Sequence, residues 1–217
     1  MNTKLRFTQI IAPLITVHLE KNLKGTVTDK DFTADNRQEI GYSRDFDSQD
    51  GYYRKVSLLQ PINRKQNLLI GLSSSFQKLI IFHSEAPKNS EYKAIWLGLE
   101  GKSSNDLYNR KRFTIKFEND IRLSRYTAIG TWTLRDDLKQ PNSFKHYTFL
   151  GELESAVNLL FNLHRNISTG AGCQLTLQKS LKGEDILFFS NGDIASTQLN
   201  GVNGRRFMCF FLLNIKL

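Results

Sequence analysis

The stretch Lys111–Leu134 reads KRFTIKFENDIRLSRYTAIGTWTL and is the most strongly patterned strand-like part of the chain. Apolar side chains at Phe113, Ile115 and Phe117 alternate with polar, mostly basic ones. Successive side chains of a strand point to opposite faces, so this alternation predicts a strand with one apolar and one basic face. We expect the segment to lie near the functional face of the protein.

Other segments carry the same signal. Strand-like runs bounded by turn residues extend through 52–134 and return through the C-terminal strands at 173–217. Between them, residues 146–166 contain an apolar stripe from Leu150 to His164 with three- and four-residue spacing, which predicts a helix. This helix is the expected cover for the apolar face of the Lys111–Leu134 segment, and it would leave the basic face exposed.

The first part of the chain is less regular. The N-terminal segment 1–25 has near-helical apolar spacing and predicts a second helix, with a strand from Ile10 to Leu19 as the alternative. Residues 26–51 are polar and mixed in charge, which indicates a long surface loop. The predicted fold is a single α+β domain: a mainly antiparallel, multi-stranded sheet with one or two covering helices.

The composition favours a polyanionic partner. The 217 residues include 30 Lys and Arg against 21 Asp and Glu, giving a formal net charge of +9. Excess positive charge attracts nucleic acid first and anionic membranes second. The only two cysteines, Cys173 and Cys209, are too few for a disulfide framework and lack metal-ligand spacing. We expect free thiols, with one bridge between them left open, and no metal or cofactor.

The Lys111–Leu134 segment also suggests a binding surface. Single-stranded nucleic acid is bound by cations that follow the phosphates and by aromatic rings on which bases stack. Both occur here, and the candidate binding residues are Lys111, Arg112, Lys116, Arg122, Arg125, Tyr126 and Trp132. The leading hypothesis is therefore non-catalytic binding of single-stranded DNA or RNA. The alternative is a solvated sheet face with its aromatic rings turned into the core.

Two other functional classes remain open. Glu91 and Lys93 form a short ExK pattern that a metal-dependent nuclease could use, with an upstream Asp as a further ligand. No other catalytic motif occurs, which disfavours an enzyme. A basic β-rich chain of this size is also compatible with a structural protein of the viral coat or matrix type, which would form homo-oligomers.

The sequence has no clear targeting signal. No apolar run is long enough for a membrane-spanning helix, and polar residues interrupt the N-terminal run that a signal peptide would need. These observations predict no membrane insertion and no secretion. The expected location is the cytoplasm, or the interior of an organelle or host cell.

Overall fold

The computed structural model describes residues 13–32, 40–62, 67–83, 88–110, 112–164 and 167–215, and its regular elements are all strands. Their bounds are β1 Leu14–Phe32, β2 Ile40–Pro61, β3 Leu68–Ile81, β4 Ser90–Arg110, β5 Phe113–Thr131, β6 Phe144–His164, β7 Ile167–Ser180, β8 Gly183–Phe188, β9 Ile194–Leu199 and β10 Asn203–Ile215. Within the described ranges, no helix is long and apolar enough to cross a membrane.

All ten strands belong to one antiparallel sheet. Its main path runs β1-β2-β3-β4-β5-β6-β7-β10, while β8 pairs with β6 and with β9. Strands β2, β4 and β6 finish at one end of the sheet, which we call the proximal end. Strands β1, β3, β5 and β7 finish at the other, the distal end. Two of the proximal connections are short. One joins β4 to β5 between Arg110 and Phe113, and the other joins β6 to β7 between His164 and Ile167.

The sheet is so strongly curved that its two edge strands meet. Seven steps of about 4.8 Å would separate β1 from β10 by about 34 Å in a flat sheet. Instead, Arg206 on β10 donates a 2.8 Å hydrogen bond to the carboxylate of Glu20 on β1. The same guanidinium lies 5.1 Å from the ring centre of Tyr53 on β2. The main path therefore wraps around a common interior.

Glycines allow neighbouring backbones to approach closely along the inner face of this curve. A Cβ atom added at Gly71 would lie 1.9 Å from the carbonyl oxygen of Leu58, and one at Gly98 would lie 2.0 Å from that of Leu123. Gly is the residue that permits such an approach inside a strand. Any side chain at these two positions would push adjacent strands apart.

The interior is mainly aromatic and polar, with few aliphatic side chains. Tyr53, Trp96 and Tyr126 are buried side by side, with ring centres 5.8 Å apart in both successive pairs. Most other buried side chains are polar or charged, including Lys55 and Arg122. The outer face carries the exposed aliphatic residues of the strands. This is the reverse of the usual arrangement, in which apolar side chains are buried and charged ones face water.

The predicted α+β class with covering helices is wrong, because the described chain is sheet throughout. The helix predicted at 146–166 corresponds to β6. The residues of the predicted helical stripe divide between the two faces of this strand. Leu150 and Leu160 point inward, whereas Leu153 and Val157 point outward. The polar residues between them also fit a period of two, and this signal outweighs the helical spacing once β5 and β7 pair on either side.

The N-terminal predictions also change. Strand β1 occupies the described part of the segment expected to be helical, from Leu14 onward, and residues 1–12 of that prediction lie outside the described chain. The polar loop predicted at 26–51 is instead the distal half of the β1–β2 hairpin, apart from residues 33–39, which are not described. Pairing satisfies the backbone here and does not require an apolar pattern on either face.

The register between β7 and β10 predicts that the two cysteines can form a disulfide bond. Cys173 on β7 lies directly opposite Cys209 on β10, with both side chains exposed and the two Sγ atoms 2.7 Å apart. Directly opposed strand positions hold two Cβ atoms close to the separation that a disulfide needs. We expect mild oxidation with copper phenanthroline to link them within one chain, which intact-mass spectrometry detects as the loss of two hydrogen atoms.

A shifted pair provides the control. In the double variant Cys173→Ser/Ala171→Cys, the new thiol lies opposite Phe211 and is diagonal to Cys209. Its cross-linking should be much slower than in the native chain. Faster cross-linking of the shifted pair would contradict the β7–β10 register.

Candidate functional surfaces

A cluster of charged side chains occupies the middle of the interior, and Arg122 is its centre. The guanidinium of Arg122 on β5 pairs with Glu152 and, at 3.3 Å, with Glu154, both on β6. It also donates a 3.0 Å hydrogen bond to the hydroxyl of Tyr53, three strands away on β2. Only 1% of Arg122 is exposed. A cation removed this far from water is tolerated because it has acidic and hydrogen-bonding partners.

Lys55 is the second buried cation of the cluster. Its ammonium group on β2 lies 2.9 Å from Asp120 on β5 and 3.5 Å from Glu100 on β4. The hydroxyl of Ser57 donates a 2.6 Å hydrogen bond to the other oxygen of Glu100. The cluster thus connects four strands, β2, β4, β5 and β6, across the interior. We call Lys55, Glu100, Asp120, Arg122, Glu152 and Glu154 the ion cluster.

The two carboxyls nearest Lys55 are shifted in opposite directions. Burial, together with a hydrogen bond to Asp120, raises the pKa of Glu100 above its ordinary value. Burial acts the same way on Asp120, but the positive charges of Lys55 and Arg122 outweigh it and lower that pKa. Asp120 is therefore the carboxylate that balances the two cations, whereas Glu100 holds its proton more tightly.

A second chain of polar groups lies nearer the distal end. The hydroxyls of Tyr92 and Tyr126 are 2.9 Å apart, and that of Tyr92 is 3.0 Å from Nδ1 of His146. The other ring nitrogen of His146 lies 3.3 Å from Asp185 on β8. Burial raises the pKa values of both tyrosines, so both remain neutral hydrogen-bonding groups. This chain attaches the β8–β9 hairpin to the inner face of the sheet.

The outer face of the sheet carries an apolar band that crosses every strand of the main path. Leu123 on β5 is 66% exposed, and it is typical of the set. One representative from each strand in path order is Val17, Leu58, Leu72, Leu97, Leu123, Leu153, Leu175 and Phe207. A water-soluble monomer rarely exposes a contiguous apolar patch larger than a few hundred Å². The band therefore needs a partner that is itself apolar.

The height of the band can be read along β6. From Phe149 to Phe161 the outward positions are Phe, Gly, Leu, Ser, Val, Leu and Phe, with no charge among them. Twelve residue steps at about 3.4 Å span about 41 Å along the strand. With the tilt of about 45° that is usual for strands in lipid, this becomes about 29 Å. The hydrocarbon core of a bilayer is about 30 Å thick.

Aromatic side chains lie at both edges of the band. Toward the distal end, Tyr52 and Phe76 stack with their ring centres 5.5 Å apart, and Arg54 lies 4.8 Å from the ring centre of Tyr52. Toward the proximal end, the rings of Phe113 and Phe161 are 5.0 Å apart. Rings with one apolar and one wet side are enriched where hydrocarbon meets water.

The residues predicted to bind nucleic acid do not share one surface. Lys116, Arg122 and Tyr126 point into the interior, and the last two are buried. Arg125 points outward among the apolar residues, and Arg112 is exposed in the turn before β5. Trp132 follows β5 at the distal end, where its ring contacts those of Phe46, His83 and Phe144. Lys111 lies outside the described residues.

In the Lys111–Leu134 segment, the enclosed face is also the opposite of the one expected. The sequence predicts that Phe113, Ile115 and Phe117 lie under a helix and that Lys116 faces solvent. Instead, no helix in the described part of the chain covers them, and Lys116 points inward. Alternation defined the two faces correctly but carried no information about which face is enclosed. The clue that sequence reasoning missed is the inward series Glu152, Glu154 and Asn158 on β6, whose polar residues match those of β5.

The nuclease pattern lies on the outer face of β4. Glu91 contacts Lys93 on its own strand and Lys78 on β3, and these two cations outweigh burial and lower its pKa. Among the described residues, no group of three or more His, Cys, Asp or Glu side chains is arranged to hold a metal ion. The chain matches no model of a protein family and no curated protein.

Substitution of Arg122 and of Arg125, which lie on opposite faces of β5, tests how much the ion cluster contributes to stability. Arg122→Ala leaves the acidic side chains of the ion cluster without their central cation, so we expect a loss of about 3–5 kcal/mol in the free energy of unfolding. Arg125→Ala removes an exposed side chain, and its effect should stay within about 0.5 kcal/mol. Urea titration of the purified protein, followed by tryptophan fluorescence, measures both.

A third variant covers the case in which Arg122→Ala does not fold. Arg122→Lys keeps the charge but loses the forked geometry, so its unfolding free energy should fall between those of the other two. Equal unfolding midpoints for the Arg122 and Arg125 variants would show that the ion cluster does not hold the sheet together.

Proposed function

We propose that this protein is a membrane protein whose curved sheet crosses a lipid bilayer, with the apolar band in contact with the acyl chains. The observation that carries this proposal is the inverted arrangement of the sheet. Leu123 on the outer face is 66% exposed, while its neighbour in sequence, Arg122, is 1% exposed. In water this arrangement would be costly on both faces, whereas in lipid the outer face is favourable.

The backbone pairing of the inner strands β2 to β7 supports the same proposal. A chain in hydrocarbon must satisfy its peptide N–H and C=O groups internally, because no water is present to do so. Along the main path, each strand from β2 to β7 pairs on both sides with an antiparallel neighbour. At a strand tilt of about 45°, the span from Phe149 to Phe161 would be about 29 Å, which fits a bilayer core of about 30 Å.

The filled interior indicates an anchor or scaffold in the membrane, not an open channel. Arg122 and Glu100 are 1% and 2% exposed, so no water-sized space adjoins them. Side chains from four strands meet at this level and close the interior. The proposed role is therefore to hold the distal and proximal connections at the two surfaces of a membrane.

This proposal replaces the predicted absence of membrane insertion, which considered only helices. Binding of single-stranded nucleic acid stays an untested prediction, as do the coat-type assembly and the nuclease. The lipid proposal is favoured over them because it accounts for both faces of the sheet. Fluorescence anisotropy with labelled oligonucleotides, across a salt series, tests the nucleic-acid hypothesis independently.

A charge placed in the apolar band gives the sharpest test of bilayer insertion. Leu123→Arg would bring a guanidinium into the hydrocarbon core, at a cost of about 2–4 kcal/mol near the midplane. We expect the unmodified protein to float with phosphatidylcholine vesicles in a density gradient and to resist carbonate extraction. The Leu123→Arg variant should show a clearly smaller floating fraction.

A substitution outside the band is the control. Asp136→Arg also adds an arginine, in the exposed distal connection after β5, and should float as the unmodified protein does. If the outer face met water, Leu123→Arg would instead be neutral or would reduce aggregation. Failure of the unmodified protein to associate with vesicles would contradict the proposal directly.

The closed interior predicts a lack of ion conduction. We expect no stepwise current when the protein is inserted into planar bilayers, because the ion cluster fills the interior at its level. A variant with Glu100, Arg122 and Glu152 all replaced by Gly empties that level, and it serves as the positive control once vesicle flotation shows that it still folds and inserts. Regular conductance steps from the unmodified protein would show that solutes pass the cluster.

A further inference from the structure

Basic residues lie toward the distal end of the apolar band on every strand of the main path. On each strand, the outward-facing apolar residues are followed toward the distal end by one Lys or Arg. Six of these form the basic ring: Lys21, Arg54, Arg125, Lys145, Lys179 and Arg205. On the remaining strands, β3 and β4, the equivalent residues are Lys78 and Lys93, which are already paired with Glu91.

The members of the basic ring lack acidic partners within the described chain. None of the six forms an ion pair there, in contrast to the buried cations Lys55 and Arg122. Where contacts exist they are with aromatic rings: Arg54 with Tyr52 at 4.8 Å, and Lys145 with Tyr147 at 4.7 Å. Six positive charges toward the distal end of the band, with no acidic partners there, leave a strong positive potential on that part of the surface.

The neighbours of the ring fix the chemistry of its partner. Arg125 lies directly between Leu97 on β4 and Phe149 on β6, both exposed apolar side chains. Arg205 is opposite Leu177 and is followed two residues later by Phe207. A ligand here must offer negative charge and apolar chains side by side. An anionic lipid has that form, with its phosphate at the edge of the hydrocarbon.

We propose that the basic ring binds the phosphate groups of anionic lipids in the distal leaflet of the membrane. This inference rests on the proposed insertion of the sheet into a bilayer and adds lipid selectivity and orientation to it. The guanidinium and ammonium groups would extend from the edge of the band toward the headgroups while their aliphatic stems remain on the apolar surface. The rings of Tyr52 and Tyr147 would lie at the same depth.

Native mass spectrometry of the detergent-solubilised protein tests this selectivity. Micelles are doped with equal amounts of phosphatidylglycerol and phosphatidylcholine, and retained lipids are counted after release from the micelle. Each basic residue near an anionic surface contributes about a fivefold preference. We expect phosphatidylglycerol to be retained at least about tenfold over phosphatidylcholine, with a preference that weakens as salt is added.

Two triple variants with the same net charge separate the ring from general attraction. Arg54→Gln, Arg125→Gln and Arg205→Gln together remove half of the ring and should reduce the preference by about tenfold or more. Lys88→Gln, Lys139→Gln and Lys182→Gln remove three exposed charges from the distal connections, away from the band. This control variant should retain the full preference.

The outcomes distinguish the ring from the underlying proposal. No preference in the unmodified protein, or an equal loss in both triple variants, would overturn the lipid-binding role of the ring. Flotation with pure phosphatidylcholine vesicles does not depend on the ring. A protein that floats with those vesicles but shows no preference would therefore refute this inference alone, whereas one that never floats would refute bilayer insertion as well.

Discussion

The buried guanidinium of Arg122 is the interaction on which the rest of the structure depends. It must have acidic partners, and these come from β5 and β6, while its hydrogen bond to Tyr53 reaches β2. A contact between strands three places apart requires strong curvature. The polar positions of each strand are thereby drawn inside. Since side chains alternate, the apolar positions must then face outward.

The outward apolar face determines the environment that the protein needs. The interior could not be an ordinary aliphatic core, because charged side chains fill its middle level and hydrogen-bonded tyrosines fill the level beyond it. In the proposed bilayer, burial of Leu123 and its neighbours against acyl chains would give that surface the stabilisation that a core provides in water. In that setting, the basic ring and the edge aromatics would lie where hydrocarbon changes to headgroup.

Part of this was predictable from sequence. The alternation at Phe113, Ile115 and Phe117 correctly indicated a strand with two chemically distinct faces. It could not reveal which face is enclosed, because that depends on partners far away in the chain, such as Glu152 opposite Arg122. In β6, Leu153 and Val157 satisfied both helical and strand spacing, and only pairing with β5 and β7 distinguishes the two. The residues of the candidate site are separated for the same reason. Arg122 and Arg125 are three positions apart on β5, so they lie on opposite faces of the sheet.

Spin labels attached one at a time along 118–125 of β5 test the central claim most directly. In a reconstituted bilayer, collision with molecular oxygen reports contact with acyl chains, and collision with a water-soluble nickel chelate reports contact with water. Labels at Ile121 and Leu123 should collide often with oxygen and rarely with nickel, whereas a label at Ser124 should meet neither freely. Frequent nickel collisions at Ile121 and Leu123 would contradict the account, because the apolar band would then face water.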